Sequence, residues 1–302
     1  MPVQNQKIDL SLFRDKGVVL HIKREDTLHP LISGNKYRKL KYNLIQAKEL
    51  GKDTLLSFGG AFSNHLAALA YAGREAGLKT LGVIRGEELE GRWMENPTLA
   101  LAHAQGMRFH FVSRKAYRQK ESSAFLENLR ERFGDFLHLP EGGSNALGVK
   151  GCEEILEAGD AHFDIVCCAV GTGATLAGLI NTIGPGQRVW GFPALKGDFL
   201  DGDIRTFAQN DRWELQPGFH FGGYGKVDRE LVAFINRFKK ETGIPLDPIY
   251  TGKMLFGIFV LVEQGILPKG SKILAIHTGG LQGIKGMNQL LEKKNLPLLD
   301  YL

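Results

Sequence analysis

Lys36 and Lys39 stand three residues apart in the octapeptide Ser33-Gly34-Asn35-Lys36-Tyr37-Arg38-Lys39-Leu40. Leu40, Leu44, Ile45 and Leu50, followed by Gly51, predict a helix that starts near Lys36 and shows an apolar face. Lys36 then falls in the first turn, and Lys39 one turn up the same face. Two ammonium groups that close lower each other's pKa or share an anion. A lysine with a depressed pKa can act as a nucleophile toward a carbonyl compound. Without further context, a solvated basic helix end is the commoner use of such residues.

Two small-residue loops could hold anions. In Ser57-Phe58-Gly59-Gly60-Ala61-Phe62-Ser63-Asn64-His65-Leu66 a strand runs into a loop, and a helix begins near Ser63 or Asn64. Free N–H groups at such a start suit a carboxylate or phosphate, although Ser63 and Asn64 also suit plain capping. In Val170-Gly171-Thr172-Gly173-Ala174-Thr175-Leu176-Ala177-Gly178 glycines let the backbone curl and threonines add donors. This stretch lacks the Lys-Ser/Thr ending of a nucleotide P-loop and the spacing of a dinucleotide fingerprint, so it suits a phosphate without a nucleotide. A tight packing turn is the structural alternative. Late in the chain, Tyr250-Thr251-Gly252-Lys253 precedes a helix and Ile276-His277-Thr278-Gly279-Gly280 ends a strand. Strand ends of open α/β sheets face the ligand crevice. Tyr224 sits in a glycine-rich loop.

These residues need a scaffold, and alternating short apolar runs and longer amphipathic ones supply it. Residues 54–58, 80–84, 107–112 and 136–139 predict strands. Residues 66–76, 94–104 and 113–133 predict helices, with Gly77, Gly106 and Gly134 at their C-terminal ends. Strands at 164–170, 189–193 and 272–277 follow, with helices at 175–183, 227–242, 253–264 and 281–292. Leu231, Phe234, Ile235 and Phe238 mark a core-facing stripe in the second of these helices. The alternation predicts βαβ units and parallel sheets. Glu141-Gly142-Gly143-Ser144-Asn145 reads as the crossover between two such sets. Residues 196–221 show no clear pattern.

Composition narrows the classes. A chain of 302 residues can bury a large core. The net charge of +5 is spread along the chain and no nucleic-acid module is evident, so an anion- or nucleic-acid-binding protein is the weaker reading. Cys152, Cys167 and Cys168 fit small buried hydrophobes better than a disulfide framework or a metal site. No signal peptide and no membrane span is expected, and the cytoplasm is the expected location.

Taken together, residues 23–40, 58–65, 140–145, 171–178, 246–253 and 277–280 resemble the fold-type II pyridoxal 5'-phosphate (PLP) enzymes. The resemblance is to the branch containing 1-aminocyclopropane-1-carboxylate (ACC) deaminase and D-cysteine desulfhydrase, and it covers nearly the whole chain in the family's order. It implies two open twisted α/β domains with mainly parallel sheets, like the tryptophan synthase β chain. The large domain would comprise 1–45 plus 147–302, the small one 46–146. It implies that Lys36 carries the cofactor and that Asn64 bonds its ring hydroxyl. Gly171, Thr172, Gly173, Ala174 and Thr175 would cradle its phosphate with help from Lys39. Ser63, Asn64 and His65 would meet the substrate carboxylate, with Ser63, Tyr224 and Tyr250 among the catalytic groups. No metal is implied, and a homodimer acting on a small amino acid is.

ACC deaminase resembles Tyr-Glu-Gly-Lys and Leu-Gly-Gly where this chain has Thr251 and Thr278. Both threonines resemble the desulfhydrase side, and both are expected near the cofactor's ring nitrogen. A hydroxyl there supports a weaker electron sink than a carboxylate, which suits a good β-leaving group. The expected reaction is therefore α,β-elimination, with D-cysteine giving pyruvate, hydrogen sulfide and ammonia, and Lys36 or a tyrosine taking the Cα proton. ACC deamination is the alternative, and serine elimination or racemisation stays within the same cofactor class. Two regions depart from the family: residues 196–221 are short, and Leu281-Gln282 replaces Ala-Pro.

Overall fold

The computed structural model describes residues 3–32, 34–197 and 200–300. Ser33 of the lysine octapeptide and residues 198 and 199 lie outside the described residues. The chain opens with β1 (Asn5–Ile8), α1 (Ser11–Lys16), β2 (Val19–Lys23) and the lysine helix α2 (Asn35–Glu49). Next come β3 (Thr54–Gly59), α3 (Asn64–Ala76), β4 (Lys79–Arg85), α4 (Pro97–Ala104) and β5 (Arg108–Val112). Then α5 (Arg114–Tyr117), α6 (Ser123–Phe133), β6 (Leu137–Leu139) and α7 (Ala146–Cys152) lead to β7 (Ile165–Val170) and α8 (Ala174–Thr182). The remainder is β8 (Arg188–Pro193), α9 (Leu200–Arg205), β9 (Trp213–Leu215), α10 (Arg229–Thr242), α11 (Thr251–Glu263), β10 (Lys272–Ile276) and α12 (Gly283–Lys293).

The fold is mixed α/β with two sheets. One has the order β1-β2-β10-β7-β8-β9 and is parallel except for β1, which pairs antiparallel with β2. The other, β5-β4-β3-β6, is wholly parallel. Buried β7 shows why these runs are continuous rather than alternating: all six residues are covered, as both faces of a parallel sheet carry helices. Leu231, Phe234, Ile235 and Phe238 of α10 pack against the larger sheet, each worth about 1.5–3 kcal/mol of burial.

Several expectations shift. The helix expected over 113–133 is two, because Ser113 and Ser122 each cap a separate start. The helix expected from Met94 begins at Pro97, after Asn96 accepts from the N–H groups of Thr98 and Leu99. Ile45 of α2 and Leu50 just past its end are exposed, while Lys39, Leu40, Asn43 and Ala47 are buried. Helix α2 thus buries a partly polar stripe that an apolar-face reading misses. The expected domain boundary at 45/46 falls inside α2, and the illegible 196–221 segment holds α9 and β9.

The tetrapeptide 23–26 fixes α2 to the large sheet. Buried Lys23 pairs with buried Asp160 at 2.8 Å. Arg24 forks onto Asp26 (2.8 and 2.7 Å), and Arg38 of α2 forks onto fully buried Glu25 (2.9 Å for both bonds). Such two-pronged pairs fix orientation as well as distance. Helix α7 crosses α2 closely because residue 151 is glycine; a Cβ there would stand 1.9 Å from the Arg38 carbonyl oxygen.

Candidate active site

The C-terminal ends of β3 and β4 in one sheet, and of β7 and β10 in the other, border a cavity of ≈ 850 Å³. Lys36 reaches it from the first turn of α2. The turn is placed by Gly34, which has φ +54 and lies where a Cβ would stand 2.1 Å from the Thr278 carbonyl oxygen. Lys36 Nζ donates to the Gly142 carbonyl oxygen at 3.2 Å. Lys39 Nζ donates to the same oxygen at 3.1 Å, and neither lysine pairs with a described carboxylate. Burial, then the neighbouring Lys39 charge, holds the Lys36 ammonium well below the usual lysine range; burial lowers Lys39 as well.

Around the other loop, Thr172 and Thr175 are held from outside. Ser144 Oγ donates to Thr172 Oγ1, and Asn35 Nδ2 donates to Thr175 Oγ1 at 2.8 Å. Gly171, Thr172, Gly173 and Thr175 line the cavity, with the first-turn N–H groups of α8 behind them. Ala174 is fully buried and contributes backbone alone. A concave loop of small residues at a helix start, two hydroxyls and two lysines without carboxylates suits a dianion.

Ser63, Asn64 and His65 line the opposite side. Ser63 caps α3 by accepting from the Leu66 N–H at 3.3 Å, which leaves its own proton free to donate. Asn64 Oδ1 accepts from Gln282 Nε2 at 2.8 Å. His65 Nε2 lies 2.9 Å from Ser57 Oγ, and its Nδ1 is buried without a partner in the protein. Burial, with Lys36 and Lys39, keeps this imidazole well below its usual pKa, hence neutral.

Tyr224 and Tyr250 meet edge to face, their ring centres 6.2 Å apart, and both line the cavity. Burial raises the Tyr250 phenol well above the ordinary tyrosine value, and Tyr224, more open to solvent, is raised less. They are proton donors near neutral pH. Thr278 also lines the cavity, but Thr251 does not. Thr251 is fully buried: its Oγ1 donates to Asp247 Oδ1 at 2.8 Å and accepts from the Asp247 N–H at 2.9 Å. Its hydroxyl is engaged with Asp247, whose carboxylate caps the start of α11, and so does not face the cavity as its expected place beside the cofactor required.

Asn35, Arg85 and Ser144 carry no role in the sequence pattern, and Gln282 enters only as a departure from the family near the substrate pocket. Asn35 and Ser144 adjoin residues already singled out, so proximity was their signal. Arg85 had none, since a charged residue ending a strand looks like any solvated end. Among the described residues no group of three or more His, Cys, Asp or Glu could hold a metal ion, and no helix is long and apolar enough to cross a membrane. All three cysteines are free and buried.

The family described as Pyridoxal-phosphate dependent enzyme matches residues 7–279. A Pyrococcus horikoshii protein named "Putative 1-aminocyclopropane-1-carboxylate deaminase" is 32% identical over 90% of this chain and 88% of its own. The Arabidopsis thaliana bifunctional D-cysteine desulfhydrase/1-aminocyclopropane-1-carboxylate deaminase, mitochondrial, is 31% identical over 89% of this chain and 74% of its own. The crystal structure of an ACC deaminase homologue superposes with a TM-score of 0.83 at 30% identity, covering 97% of this chain and 94% of that one.

Proposed function

The chain belongs to the pyridoxal-phosphate-dependent enzymes, and from that premise we propose that it catalyses α,β-elimination from a small amino acid, D-cysteine first among them. The observation that carries this reading is Thr278. Thr278, just past the end of β10, lines the cavity, while the acidic groups near it are engaged elsewhere. Asp247 accepts from the N–H groups of Ile249, Tyr250 and Thr251 and from the Thr251 hydroxyl. Asp26 is held by Arg24 and lies 3.6 Å from His277. A hydroxyl rather than a carboxylate at the ring-nitrogen end favours substrates whose β-substituent leaves readily.

The residues present fit the cofactor. Lys36 combines a lowered pKa with access to the cavity, as a lysine that links to an aldehyde requires. Gly171, Thr172, Gly173, Ala174 and Thr175, with Lys39, would hold the phosphate. Asn64 would hold the ring hydroxyl, and Thr278 the ring nitrogen. When bound, PLP supplies an electron sink for the pair released at Cα. Ser63, Asn64 and His65 would orient the substrate carboxylate. Since both phenols keep their protons, Lys36 is the base for the Cα proton, and Tyr224 and Tyr250 donate on the substrate side. The overall reaction consumes one water and gives pyruvate, ammonia and hydrogen sulfide.

ACC deamination is the second reading, favoured by the names of the relatives above. With either substrate, we assign the β5-β4-β3-β6 sheet with its helices to a small domain and the six-stranded sheet with its helices to a large one. A homodimer is supported by exposed Tyr37 and Ile45 on α2, and a reducing cytoplasm by the three free thiols. The reading is tested by incubating PLP-loaded protein with D-cysteine, L-cysteine, D-serine and ACC in parallel. Pyruvate formed mainly from D-cysteine supports it. 2-Oxobutanoate from ACC moves the assignment to the deaminase, and no oxo acid from any of them removes it.

A further inference from the structure

Two cations at the cavity, Arg85 and Lys120, have no part in the reaction as proposed, and Lys120 lies beside Glu141. Arg85 ends β4 and lines the cavity. Its guanidinium carbon lies 5.5 Å from the centre of the Tyr117 ring. Its Nη2 lies 3.6 Å from where a Cβ on Gly60 would stand. Tyr117 is buried and packs edge-on against Phe58, ring centres 6.1 Å apart. The Arg85 side chain is exposed, with its guanidinium beside the Tyr117 ring and the loop leading to Ser63.

The carboxylates on the same wall have other neighbours. Glu141 lies 3.5 Å from Lys120 Nζ, and Glu121 lies 3.8 Å from His138. Arg85 forms no ion pair with a described carboxylate. The loop at Ser63 already takes the substrate carboxylate, and the loop at 171–175 takes the cofactor's phosphate. Arg85 is thus a guanidinium at the cavity, unpaired among the described residues, with no oxyanion assigned to it.

We infer that Arg85 recognises a second acidic group, an oxyanion carried on the substrate's β-substituent, as in phosphate or sulfate esters of serine. This rests on the elimination reading and names its substrate class. A guanidinium offers a planar fork that matches such an oxyanion. The chemistry balances without another reactant. The Cα proton leaves, and the Cβ–O bond breaks with its electron pair passing to the departing ester oxygen. One water is consumed, giving pyruvate, ammonium and inorganic phosphate or sulfate. Arg85 would hold the group whose negative charge grows as that bond breaks.

The test measures pyruvate release by PLP-loaded protein from both enantiomers of O-phosphoserine, O-sulfoserine and β-chloroalanine, the last having an uncharged β-substituent. A KM for at least one ester about tenfold or more below that of β-chloroalanine is expected. Arg85→Met should raise the ester KM by about tenfold and the β-chloroalanine KM by less than about threefold, with partial recovery in Arg85→Lys. Calorimetry on the PLP-loaded Lys36→Ala protein should show the same order of affinities and the same loss on adding Arg85→Met. Equal KM values for ester and chloride overturn the inference. So does an equal effect of Arg85→Met on both, which would give Arg85 to the α-carboxylate instead. If no compound releases pyruvate, β-chloroalanine included, the elimination reading fails, and the calorimetric comparison alone decides for or against Arg85.

Discussion

Lys36 and Lys39, one helical turn apart, donate to a single acceptor, the Gly142 carbonyl oxygen, at 3.2 and 3.1 Å. A partly exposed and a buried cation share one neutral oxygen, and this arrangement separates their roles. Lys36 opens onto the cavity with the more strongly lowered pKa, so it is the cofactor-bearing group. Lys36→Ala should lose turnover by about 10³-fold. Borohydride treatment followed by denaturation should leave PLP on the parent's Lys36 peptide and on no peptide of the variant. Label on Lys39 would contradict the division of roles.

Lys39 is almost fully buried and lacks a carboxylate, a costly state for a cation. Lys39→Met should therefore raise the melting temperature of the cofactor-free protein. It should also weaken PLP binding by about tenfold, through loss of a charged contact to phosphate. Thermal unfolding with and without cofactor, together with PLP titration, checks both signs.

The two threonines that sequence comparison groups together should behave differently. Thr251→Val removes hydrogen bonds to buried Asp247 and should cost about 1–3 kcal/mol of stability. It should leave the ratio of D-cysteine to ACC turnover unchanged. Thr278→Glu should shift that ratio toward ACC by about tenfold, within the range for one charged contact at a reacting centre. Denaturant unfolding and paired substrate assays separate the cases.

Much of this was legible beforehand, for reasons visible in particular residues. β3, β4 and β7 are short apolar runs between turn residues, and Ser63-Asn64-His65 and Gly171–Thr175 mark helix starts after them. Thr251 illustrates the limit. Its type and position suggested a ligand contact, but the direction of its hydroxyl depends on Asp247, four residues earlier, folding back as a cap. β9 and α9 escaped because each is short and their burial is set by distant partners: Trp213 and Ile204 share a cluster with Leu274 and Ile276. The four residues of Lys23-Arg24-Glu25-Asp26 are structural ties to Asp160, Arg38 and His277, contacts no local pattern reveals.

Lys253 ties both tyrosines into one unit. From the first turn of α11, just after Tyr250, its Nζ donates to the carbonyls of His220 and Gly223 at 2.9 Å, and Tyr224 follows. Lys253→Met should lower kcat about tenfold by loosening Tyr224, with PLP affinity unchanged and partial recovery in Lys253→Arg. Burial lowers the Lys253 pKa from 10.5 to about 8. The unfolded chain then holds the proton over that window and the folded one does not. This group's contribution to stability is fully present above 10.5 and is lost as the pH falls through about 8. The parent's stability relative to Lys253→Met should rise with pH across that interval, as denaturant titrations at several pH values would show.

The central claim is that the Cα proton of an amino acid is removed and its β-substituent expelled. ACC carries no hydrogen on its α-carbon, so its deamination cannot begin that way. The most direct measurement is the turnover of D-cysteine bearing deuterium at Cα, with sulfide and pyruvate quantified together. Equal amounts of the two products and a slower rate than with the protiated compound are predicted. No sulfide from either isotopologue, with 2-oxobutanoate formed from ACC under the same conditions, would contradict the claim.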